Sequence, residues 1–394
     1  MKSLESLFLL CFAIVFYSFV GYGIILFVVV KIKSVFKRPA KFDDTYEPEV
    51  TMVVPCYNEA CVLQQKIENT YGLDYPKHKL QIAFITDGST DNSLEILAQH
   101  PGIKTFHISR RGGKTAAENR AIRFVKTPIV IFSDANTILN KEAVKKIVRH
   151  FANENVGCVS GEKRILTSDA DVASAAGEGF YWKYESLLKK LDYQLYSAVG
   201  AAGELVAFRT ELFVQMPEDT ILDDFIQSMT IAAKGYKIAY EPEAYAVETA
   251  SESVYEELKR KIRICAGGWQ SIGRLNNKLS ILSQPVLYFQ YFSHRVLRWT
   301  VNPFLLIAMF FINMALMPHS HFYRILFAYH LLFYVAVSAG YLLEKKSLKI
   351  KAFFIPYYFF IMNYAVLMGL FRFIKGSQSA IWEKNNRMGN PLSA

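Results

Sequence analysis

The chain has 394 residues, 52% of them hydrophobic, and a formal net charge of +10 at pH 7. The apolar residues concentrate in roughly the first thirty and the last hundred positions, which excludes an ordinary soluble protein. The basic residues lie mainly beside these apolar stretches, so the charge indicates a surface of anionic lipid and no nucleic-acid partner. The five cysteines form no CxxC pair and no cluster with histidine, so neither disulfides nor structural zinc are expected.

The run from Leu7 to Val30 contains no charged residue and is long enough to cross a hydrocarbon core of ~30 Å. It is longer than the core of a cleaved signal peptide, so residues 1–31 are predicted to form an uncleaved transmembrane anchor. The basic residues after it place the following domain in the cytosol and the N-terminus outside. These basic residues are Lys31, Lys33, Lys37, Arg38 and Lys41.

Between residues 48 and 280, short apolar strands alternate with helical patterns. The predicted strands are Val50–Val54, Leu80–Ile85, Ile103–Ile108 and Ile129–Phe132, and the predicted helices are Glu59–Tyr71, Ser93–Gln99 and Lys114–Val125. Apolar strands that alternate with helices form a mostly parallel sheet covered on both faces. The predicted fold class is therefore α/β, with ligands bound at the carboxyl ends of the strands.

Acidic and turn-forming residues follow three of these strands. The segments are Pro55-Cys-Tyr-Asn-Glu59, Thr86-Asp-Gly-Ser-Thr-Asp91 and Ser133-Asp-Ala-Asn-Thr137. Each alone also fits a turn, and Asp91 fits a helix cap, but three at one sheet edge indicate a binding site. The segment Arg110-Arg-Gly-Gly-Lys114 precedes a helix and suits a diphosphate, because backbone amides and a lysine meet there. It lacks the spacing of a P-loop, so an NTPase of that class is not predicted.

Three further apolar runs predict transmembrane helices within residues 281–376. They are Leu297–Met317, Tyr323–Leu343 and Ala352–Ile374, and they follow an amphipathic segment at Leu282–His294. The loop with Lys345, Lys346, Lys349 and Lys351 falls inside, as three spans require. The tail, residues 377–394, carries Lys384 and Arg387, yet the span count places it outside. The basic residues of the tail and the number of predicted spans place the tail on the same side only if one of the segments is re-entrant or interfacial.

Seven segments in this order make residues Glu49 to Gln270 resemble the family 2 glycosyltransferases. They are "VPCYNE", "TDGSTD", "GGKTAAEN", "SDANT", "GELVAFR", "LDDF" and "RKIRICAGGWQ". This inverting group includes the membrane-embedded synthases of cellulose, hyaluronan and poly-N-acetylglucosamine. The resemblance implies a Rossmann-like GT-A domain in the cytosol, flanked by transmembrane helices, in a multi-pass protein of the cell membrane.

The resemblance also implies roles for single residues on the donor side. Pro55, Tyr57 and Glu59 would line the nucleotide pocket, Asp87 would bind uracil or ribose, and Lys114 and Arg263 would lie at the diphosphate. Asp134 matches the first acid of the DxD motif, which holds Mg²⁺ or Mn²⁺ on the diphosphate. Asn136 stands where the second acid usually is; its amide offers a ligand oxygen without a charge.

On the acceptor side, Asp224 in "LDDF" matches the catalytic base, and crowding by Asp223 would raise the pKa of its carboxyl. Acids are also favoured at a helix N-terminus, which is the alternative explanation of this pair. Gly203, Glu204, Asp223 and Trp269 are predicted to face the acceptor. The Gln-x-x-Arg-Trp motif of processive synthases is matched only at Arg263, and Trp269 could take the place of the missing tryptophan.

The predicted function is transfer of a sugar from a UDP-sugar to a growing glycan with inversion, first of all a β-linked polysaccharide. Transfer of one sugar to a lipid or lipid-linked acceptor is the alternative of the same class. The alternative of another class is an inactive nucleotide-sugar-binding subunit of a membrane assembly, which loss of the acids Asp87, Asp134 or Asp224 would favour. The expected partners are the donor, the acceptor, the lipid bilayer and accessory membrane subunits.

Overall fold

A computed structural model describes residues 1–36, 42–166, 174–249, 254–346 and 350–381, with only the backbone given for 174–181. Its strands are β1 (Val50–Cys56), β2 (Leu80–Asp87), β3 (Lys104–Ile108), β4 (Ile129–Ser133), β5 (Ile138–Leu139), β6 (Val156–Leu166), β7 (Leu205–Arg209) and β8 (Lys237–Thr249). They form one sheet in the order β3-β2-β1-β4-β7-β6-β8-β5. The basic residues Lys37, Arg38, Lys41, Lys349, Lys384 and Arg387 lie outside the described residues.

The α-helices within these ranges cover the sheet and extend beyond it. They are α1 (Lys2–Phe36, with a π-helical turn at Tyr17–Gly21), α2 (Ala60–Tyr71), α3 (Ser93–Ala98), α4 (Lys114–Ala121), α5 (Ala143–Val148), α6 (Ser174–Leu195), α7 (Asp223–Ala233), α8 (Val254–Leu275), α9 (Pro285–Tyr291), α10 (Asn302–Leu316), α11 (His321–Lys345) and α12 (Lys351–Ile374). Helix α4 ends before the predicted Val125, because i→i−3 bonds from Arg123 and Phe124 tighten its last turn.

The first four strands form the parallel half of the sheet. β1 pairs in parallel with β2 and β4, and β2 pairs in parallel with β3. Residues Val50–Val54 of β1 are fully or nearly fully buried, as expected for a strand covered on both faces. All four predicted strands are confirmed within two residues at each end. The segments that follow β1, β2 and β4 therefore meet at one edge of the sheet.

The other half of the sheet is mixed, and we had predicted no strand there. β7 runs antiparallel to β4 and β6, while β6 and β8 are parallel. Ser133 at the end of β4 pairs with Leu205 at the start of β7. Because these two strands are antiparallel, Gly203 and Glu204 lie next to the turn that contains Asp134.

Within the described ranges, four helices are long and apolar enough to cross a membrane: α1, α10 with its following turn, α11 and α12. Each corresponds to a predicted span, but the predicted Leu297–Met317 is divided. The helical stretch Leu297–Trp299 ends at Thr300, and α10 begins at Asn302 with Pro303 in its first turn. Proline is favoured there because it lacks the N–H that a first turn leaves unused.

A buried polar cluster joins α1 and α9 to the α/β domain. Asp192 of α6 accepts hydrogen bonds from the Tyr22 hydroxyl and the Gln290 amide, and its Oδ2 lies 2.6 Å from Nδ1 of His294. The predicted amphipathic segment thus forms a helical stretch whose polar groups point at the domain. These contacts fix the first membrane helix against the sheet domain.

The last helix, α12, returns to the α/β domain. Gly369 packs so closely on α8 that an added Cβ would lie 2.6 Å from Cβ of Cys265. Beyond the helix, Ile381 contacts Gly113, with 3.1 Å between the Ile381 side chain and a Cβ added to that glycine. Residues 376–381 therefore lie on the same side of the apolar helices as the sheet domain.

Candidate active site

Lys114 and Asp134 form the centre of the site. The Lys114 ammonium lies 2.6 Å from Oδ1 of Asp134, which follows the end of β4. Gly113 has a φ of 92°, a conformation that glycine adopts at little cost, and it directs Lys114 into the first turn of α4. Burial opposes the charge of Lys114, but nearby carboxylates, Asp134 first, raise its pKa well above the usual range.

Asp224 lies beside this pair at the start of α7. A Cβ added to Gly203 would lie 3.0 Å from Nζ of Lys114 and 3.1 Å from Oδ2 of Asp224, which is tighter than an ordinary contact, so both groups would have to shift. The backbone N–H of Phe225 donates to Oδ1 of Asp224 at 2.7 Å. Burial, and then the charge of Asp223, raises the pKa of Asp224 to about 7. The geometry thus brings together a cation, a carboxylate ligand and a carboxylate that can take up a proton.

A third carboxyl in this cluster was missed by the sequence analysis. Glu118 lies one turn after Lys114 on α4, is buried, and hydrogen-bonds to Asp223. Burial and the neighbouring Asp223 raise the pKa of Glu118 well above its usual range, which favours the protonated form of its carboxyl beside Asp223. The signal was present in "GGKTAAEN", where a glutamate follows the lysine at the i+4 position.

Asp87 organises the Arg-Gly-Gly loop. Its Oδ2 accepts the backbone N–H groups of Gly112 at 2.9 Å and Gly113 at 2.6 Å, and its Oδ1 pairs with Arg120 at 2.6 Å. Both oxygens of the Asp87 carboxylate are therefore engaged by the loop and by α4. In this structure Asp87 shapes the segment predicted to receive the diphosphate; its binding of uracil or ribose stays a prediction.

A basic cavity of about 720 Å³ opens beside this loop. Its wall includes Arg110, Arg111, Arg120 and Arg372, together with the segment after α12 from Gly376 to Ile381. Tyr57 stands at the neighbouring strand end, with the Arg111 guanidinium 3.7 Å from its ring centre. Arg111 thus lies both in the wall of this cavity and on the ring of Tyr57, and the cavity offers cations that an anionic ligand would require.

Pro55 and Glu59, the other nucleotide residues predicted near the end of β1, lie in different surroundings. Pro55 lies within β1, in register with Ile85 of β2. Glu59 precedes α2, and its backbone N–H donates to Ser93 at 3.2 Å. The interpretation of Asp91 as a helix cap is confirmed, since its carboxylate accepts N–H groups at the starts of both α2 and α3.

Helix α8 supports the segment that leads into Asp223. The Arg263 guanidinium donates to the carbonyl of Ile221 at 3.1 Å, and Gln270 accepts the N–H of Ile221 at 3.0 Å. Burial lowers the pKa of Arg263, while the carboxylates of Asp223 and Asp224 oppose that effect. Arg263 therefore belongs to the same electrostatic cluster as the predicted base.

A second cavity, of about 460 Å³, connects Asp224 to the apolar helices. Glu204 lines it and pairs with Lys163 at 2.7 Å, which lowers the pKa of the glutamate despite its burial. Two tryptophans, Trp182 and Trp299, are in its wall, whereas Trp269 is not among the lining residues. The helix α12 contributes Ile355, Tyr358, Phe359, Met362, Asn363 and Val366.

The residues that could hold a divalent cation are few. Within the described ranges, no group of three or more histidine, cysteine, aspartate or glutamate side chains could hold a metal. Asp134 provides one carboxylate at a rigid strand end, and Asn136 follows two positions later in the same turn. This donor set fits a cation such as Mg²⁺, which takes one or two protein ligands and completes its shell with phosphate oxygens and water.

Three comparisons with known proteins bear on this site. Residues 51–213 match the family model "Glycosyl transferase family 2". Over 235 residues the chain is 27% identical to a poly-beta-1,6-N-acetyl-D-glucosamine synthase of Staphylococcus aureus (strain MSSA476), covering 57% of this chain and 56% of that protein. The Staphylococcus epidermidis protein of the same name is 26% identical over 235 residues. The chain thus spans about half the length of the curated relatives it matches.

A solved structure resembles the whole described architecture. It is a mannosyltransferase from Pyrobaculum calidifontis, in complex with GDP-Man and Mn²⁺, with a TM-score of 0.71 and 24% sequence identity. The match covers 94% of this chain and 99% of that chain. Sheet domain and apolar helices are therefore shared as one fold.

Proposed function

Because the chain contains a glycosyl transferase family 2 domain of the GT-A fold, we propose that it transfers a sugar from a nucleotide diphosphate to an acceptor hydroxyl, with inversion. The observation that carries this proposal is that Asp224 and the Lys114–Asp134 ion pair both lie next to Gly203. The proposed base and the groups proposed to hold the diphosphate therefore lie close together at one point of the site. A single displacement needs both at the sugar carbon, because the base takes the proton of the acceptor hydroxyl while the diphosphate leaves.

Asp224 is the proposed general base. A pKa of about 7 suits this role, because a base works best when its pKa lies near the working pH. Its carboxylate takes the proton of the acceptor hydroxyl as the bond to the sugar forms. Asp223, whose charge helps to raise the pKa of Asp224, itself lies against the buried Glu118.

The donor is proposed to bind across the basic cavity and the strand ends. The loop that Asp87 holds presents Arg111 to the cavity, and Lys114 adds a charge for the diphosphate. Asp134, with Asn136, would hold Mg²⁺ or Mn²⁺ there. When bound, the cation would neutralise the negative charge that develops on the leaving diphosphate. A UDP-sugar is the first candidate, and a GDP-sugar is the second because the fold is shared with an enzyme solved with GDP-Man.

The acceptor is proposed to enter the cavity beside Asp224. A glycan chain is the first candidate, since Trp182 and Trp299 offer aromatic faces and the relatives synthesise a β-linked N-acetylglucosamine polymer. A lipid-linked acceptor is the second, and the apolar wall from α12 favours it. Accessory membrane subunits stay a prediction.

We further propose that the protein is a multi-pass membrane protein with its sheet domain in the cytosol. Lysines after α1 support this orientation. The contact of Ile381 with Gly113 supports a tail on the cytosolic side, which requires an even number of crossings after the domain. Helix α12, packed on α8, is the helix that we propose lies along the domain without crossing. Cysteine labelling at Gln378 in sealed inverted vesicles tests this, and labelling only from the opposite face would contradict it.

The decisive experiment uses membranes that contain the protein. They are incubated with radiolabelled UDP- and GDP-sugars and Mn²⁺, and the products are separated by size and by solubility in organic solvent. Long water-soluble products indicate a polysaccharide synthase, whereas organic-soluble products with one added sugar indicate a lipid acceptor. If wild-type protein binds a donor as well as Asp224→Asn does but transfers no sugar, the result would favour the inactive binding subunit.

A further inference from the structure

Lys66 lies beneath the turn that contains Asp134. This lysine of α2 is 0% exposed. Its ammonium donates to the hydroxyl of Ser133 at 2.7 Å, to the carbonyl of Thr137 at 2.8 Å and to the hydroxyl of Thr137 at 3.3 Å. All three acceptors are in the segment Ser133–Thr137, and they lie at its two ends. The ammonium therefore closes the turn from below.

A buried ammonium needs a specific reason to be there. Burial opposes the charged form and lowers the pKa of Lys66 to about 7, so the fold tolerates this group at a cost in stability. A methionine of similar length would fill the same space without that cost. What methionine lacks is the set of donors that joins Ser133 to Thr137. The turn is thus the part of the molecule that benefits from the lysine.

Asp134 has to keep its orientation while its partner changes. Oδ1 of Asp134 is paired with Lys114, and a cation that binds this oxygen has to displace that ammonium. Ser133 still donates to the carbonyl of Glu204 at 3.2 Å, and Lys66 supports the turn from below. Thr137 transmits that support, because its hydroxyl donates to the carbonyl of Asp134 at 2.9 Å and accepts from Lys66.

We propose that Lys66 is a positioning residue for the divalent cation. Its ammonium holds the Ser133–Thr137 turn rigid, so that the Asp134 carboxylate is already in place when Lys114 gives way to the metal. This inference rests on the proposed function of the site. Groups that orient a metal ligand typically change metal affinity 10–100-fold when they are removed. The effect is expected to be large here, because Asn136 adds no second charge.

The test compares Lys66→Met with wild type, as full-length protein in detergent. Binding of UDP and of GDP is measured by calorimetry while Mn²⁺ is titrated. We expect the Mn²⁺ concentration for half-maximal nucleotide binding to rise about 10-fold or more. Nucleotide binding without metal should be unchanged, because Lys66 does not reach the nucleotide cavity. Thermal unfolding is recorded for each variant.

Asn69→Leu is the matched control. Asn69 is on the same helix, and its amide donates to the carbonyl of Leu139 at 2.8 Å and accepts the N–H of Leu139 at 2.9 Å, just beyond the turn. This variant also removes buried hydrogen bonds between α2 and the strand region. It should lower the unfolding temperature while leaving the Mn²⁺ midpoint unchanged.

An unchanged Mn²⁺ midpoint in folded Lys66→Met would overturn the proposal and leave a purely structural lysine. If Lys66→Met does not fold, Thr137→Val removes the link between Lys66 and the carbonyl of Asp134. A raised Mn²⁺ midpoint in that variant supports the proposal, and an unchanged midpoint overturns it. Wild-type protein that binds neither nucleotide at any Mn²⁺ concentration would instead overturn the proposed function, and this inference with it.

Discussion

The donor side and the acceptor side of the site are built from different kinds of segment. The proposed donor side consists of four loops that follow β1, β2, β3 and β4, all within residues 50–137. The acceptor side is a cavity whose walls come from α1, α6, α7, α8, α12 and the stretch after α9. Neighbouring strands bring the first set together, whereas packing between distant helices brings the second set together.

This difference explains which residues can be recognised from the sequence. A residue that follows a parallel strand has its place set by the strand itself, since all carboxyl ends meet at one edge. Lys114 and Asp134 were therefore predicted together and lie 2.6 Å apart. A residue in the acceptor cavity depends on how a helix docks, and Trp299 shares its cavity with Trp182, far away in the chain.

The strongest test of the donor side is Asp134→Asn. The variant keeps the shape of the side chain but removes the negative charge on which the cation depends. We expect metal-dependent transfer to be abolished, with the fold retained. Activity is measured over a titration of Mg²⁺ and Mn²⁺. Transfer by Asp134→Asn at wild-type rates would remove the metal site from the donor side.

Asp224→Asn tests the point where the two sides meet. An asparagine keeps most hydrogen bonding but cannot accept a proton, so turnover should fall ~10²–10⁴-fold with donor binding nearly intact. Asp223→Asn is the control for the pair, because its carboxyl faces Glu118. If Asp224→Asn stays active and Asp223→Asn is inactive, the assignment within the pair is wrong.

The pH dependence follows from the same residue. The pKa of Asp224 is raised to about 7, so the ionised base is lost as the pH falls through that value. Turnover should rise with pH up to about 7 and then level off.

The free energy of unfolding should depend on pH in the opposite direction. Because the pKa of Asp224 is higher in the folded than in the unfolded protein, the group stabilises the fold at low pH, and this contribution is lost as the pH rises through about 7. Asp224→Asn should therefore raise the unfolding temperature at pH 8.

The fold was largely predictable, for reasons that the strands make clear. Strands β1, β2 and β4 were predicted within two residues, because strands buried on both faces have a continuous apolar signal. The exposed edge strand β3 was predicted within one residue. The mixed half was missed: β6 and β8 carry half-buried residues and a bulge in their register, which weakens that signal. The α/β fold predicted from the motifs is confirmed, and residues 51–213 match the family model that the motifs predicted.

Single side chains that act through burial were harder to predict. Nothing in the local pattern around Lys66 distinguishes a buried charge from one on a solvated helix face, and the i+4 spacing of Lys114 and Glu118 predicts a pair without showing that Glu118 is buried. Both become informative only when the sheet places them against Ser133 and Asp223. Trp269 was chosen for its closeness in sequence to Arg263, yet the tryptophans of the cavity wall come from other segments.

Trp299 offers a test of the acceptor side alone. Its ring packs on Phe225, with 5.1 Å between ring centres, and lines the cavity beside Asp224. Trp299→Leu should raise the acceptor KM about 10-fold, the equivalent of about 1.4 kcal/mol, and leave the donor KM unchanged. Trp269→Leu is the matched control and should leave both unchanged. An equal rise of the donor KM in Trp299→Leu would show that the two sides are not separable.

The smallest expected effect concerns Asn136, the one donor-side position that departs from the family motif. An amide oxygen can ligate a cation but brings no charge, and the number of charged ligands is one determinant of cation affinity. The phosphates of the donor supply negative charge once it is bound, so Asp134 suffices as the anchor from the protein.

We therefore expect Asn136→Asp to be active and to need less metal. The added carboxylate attracts the cation, and the half-maximal concentration of Mg²⁺ and of Mn²⁺ should fall a few-fold, while turnover at saturating metal stays the same. Asn140→Asp adds the same charge beyond the turn, where the Asn140 amide bonds to the carbonyl of Glu243, and serves as the control. If both variants lower the metal midpoint equally, the effect is one of general charge. An unchanged midpoint in Asn136→Asp alone would remove Asn136 from the metal shell, and the turn would then hold the cation through Asp134 only.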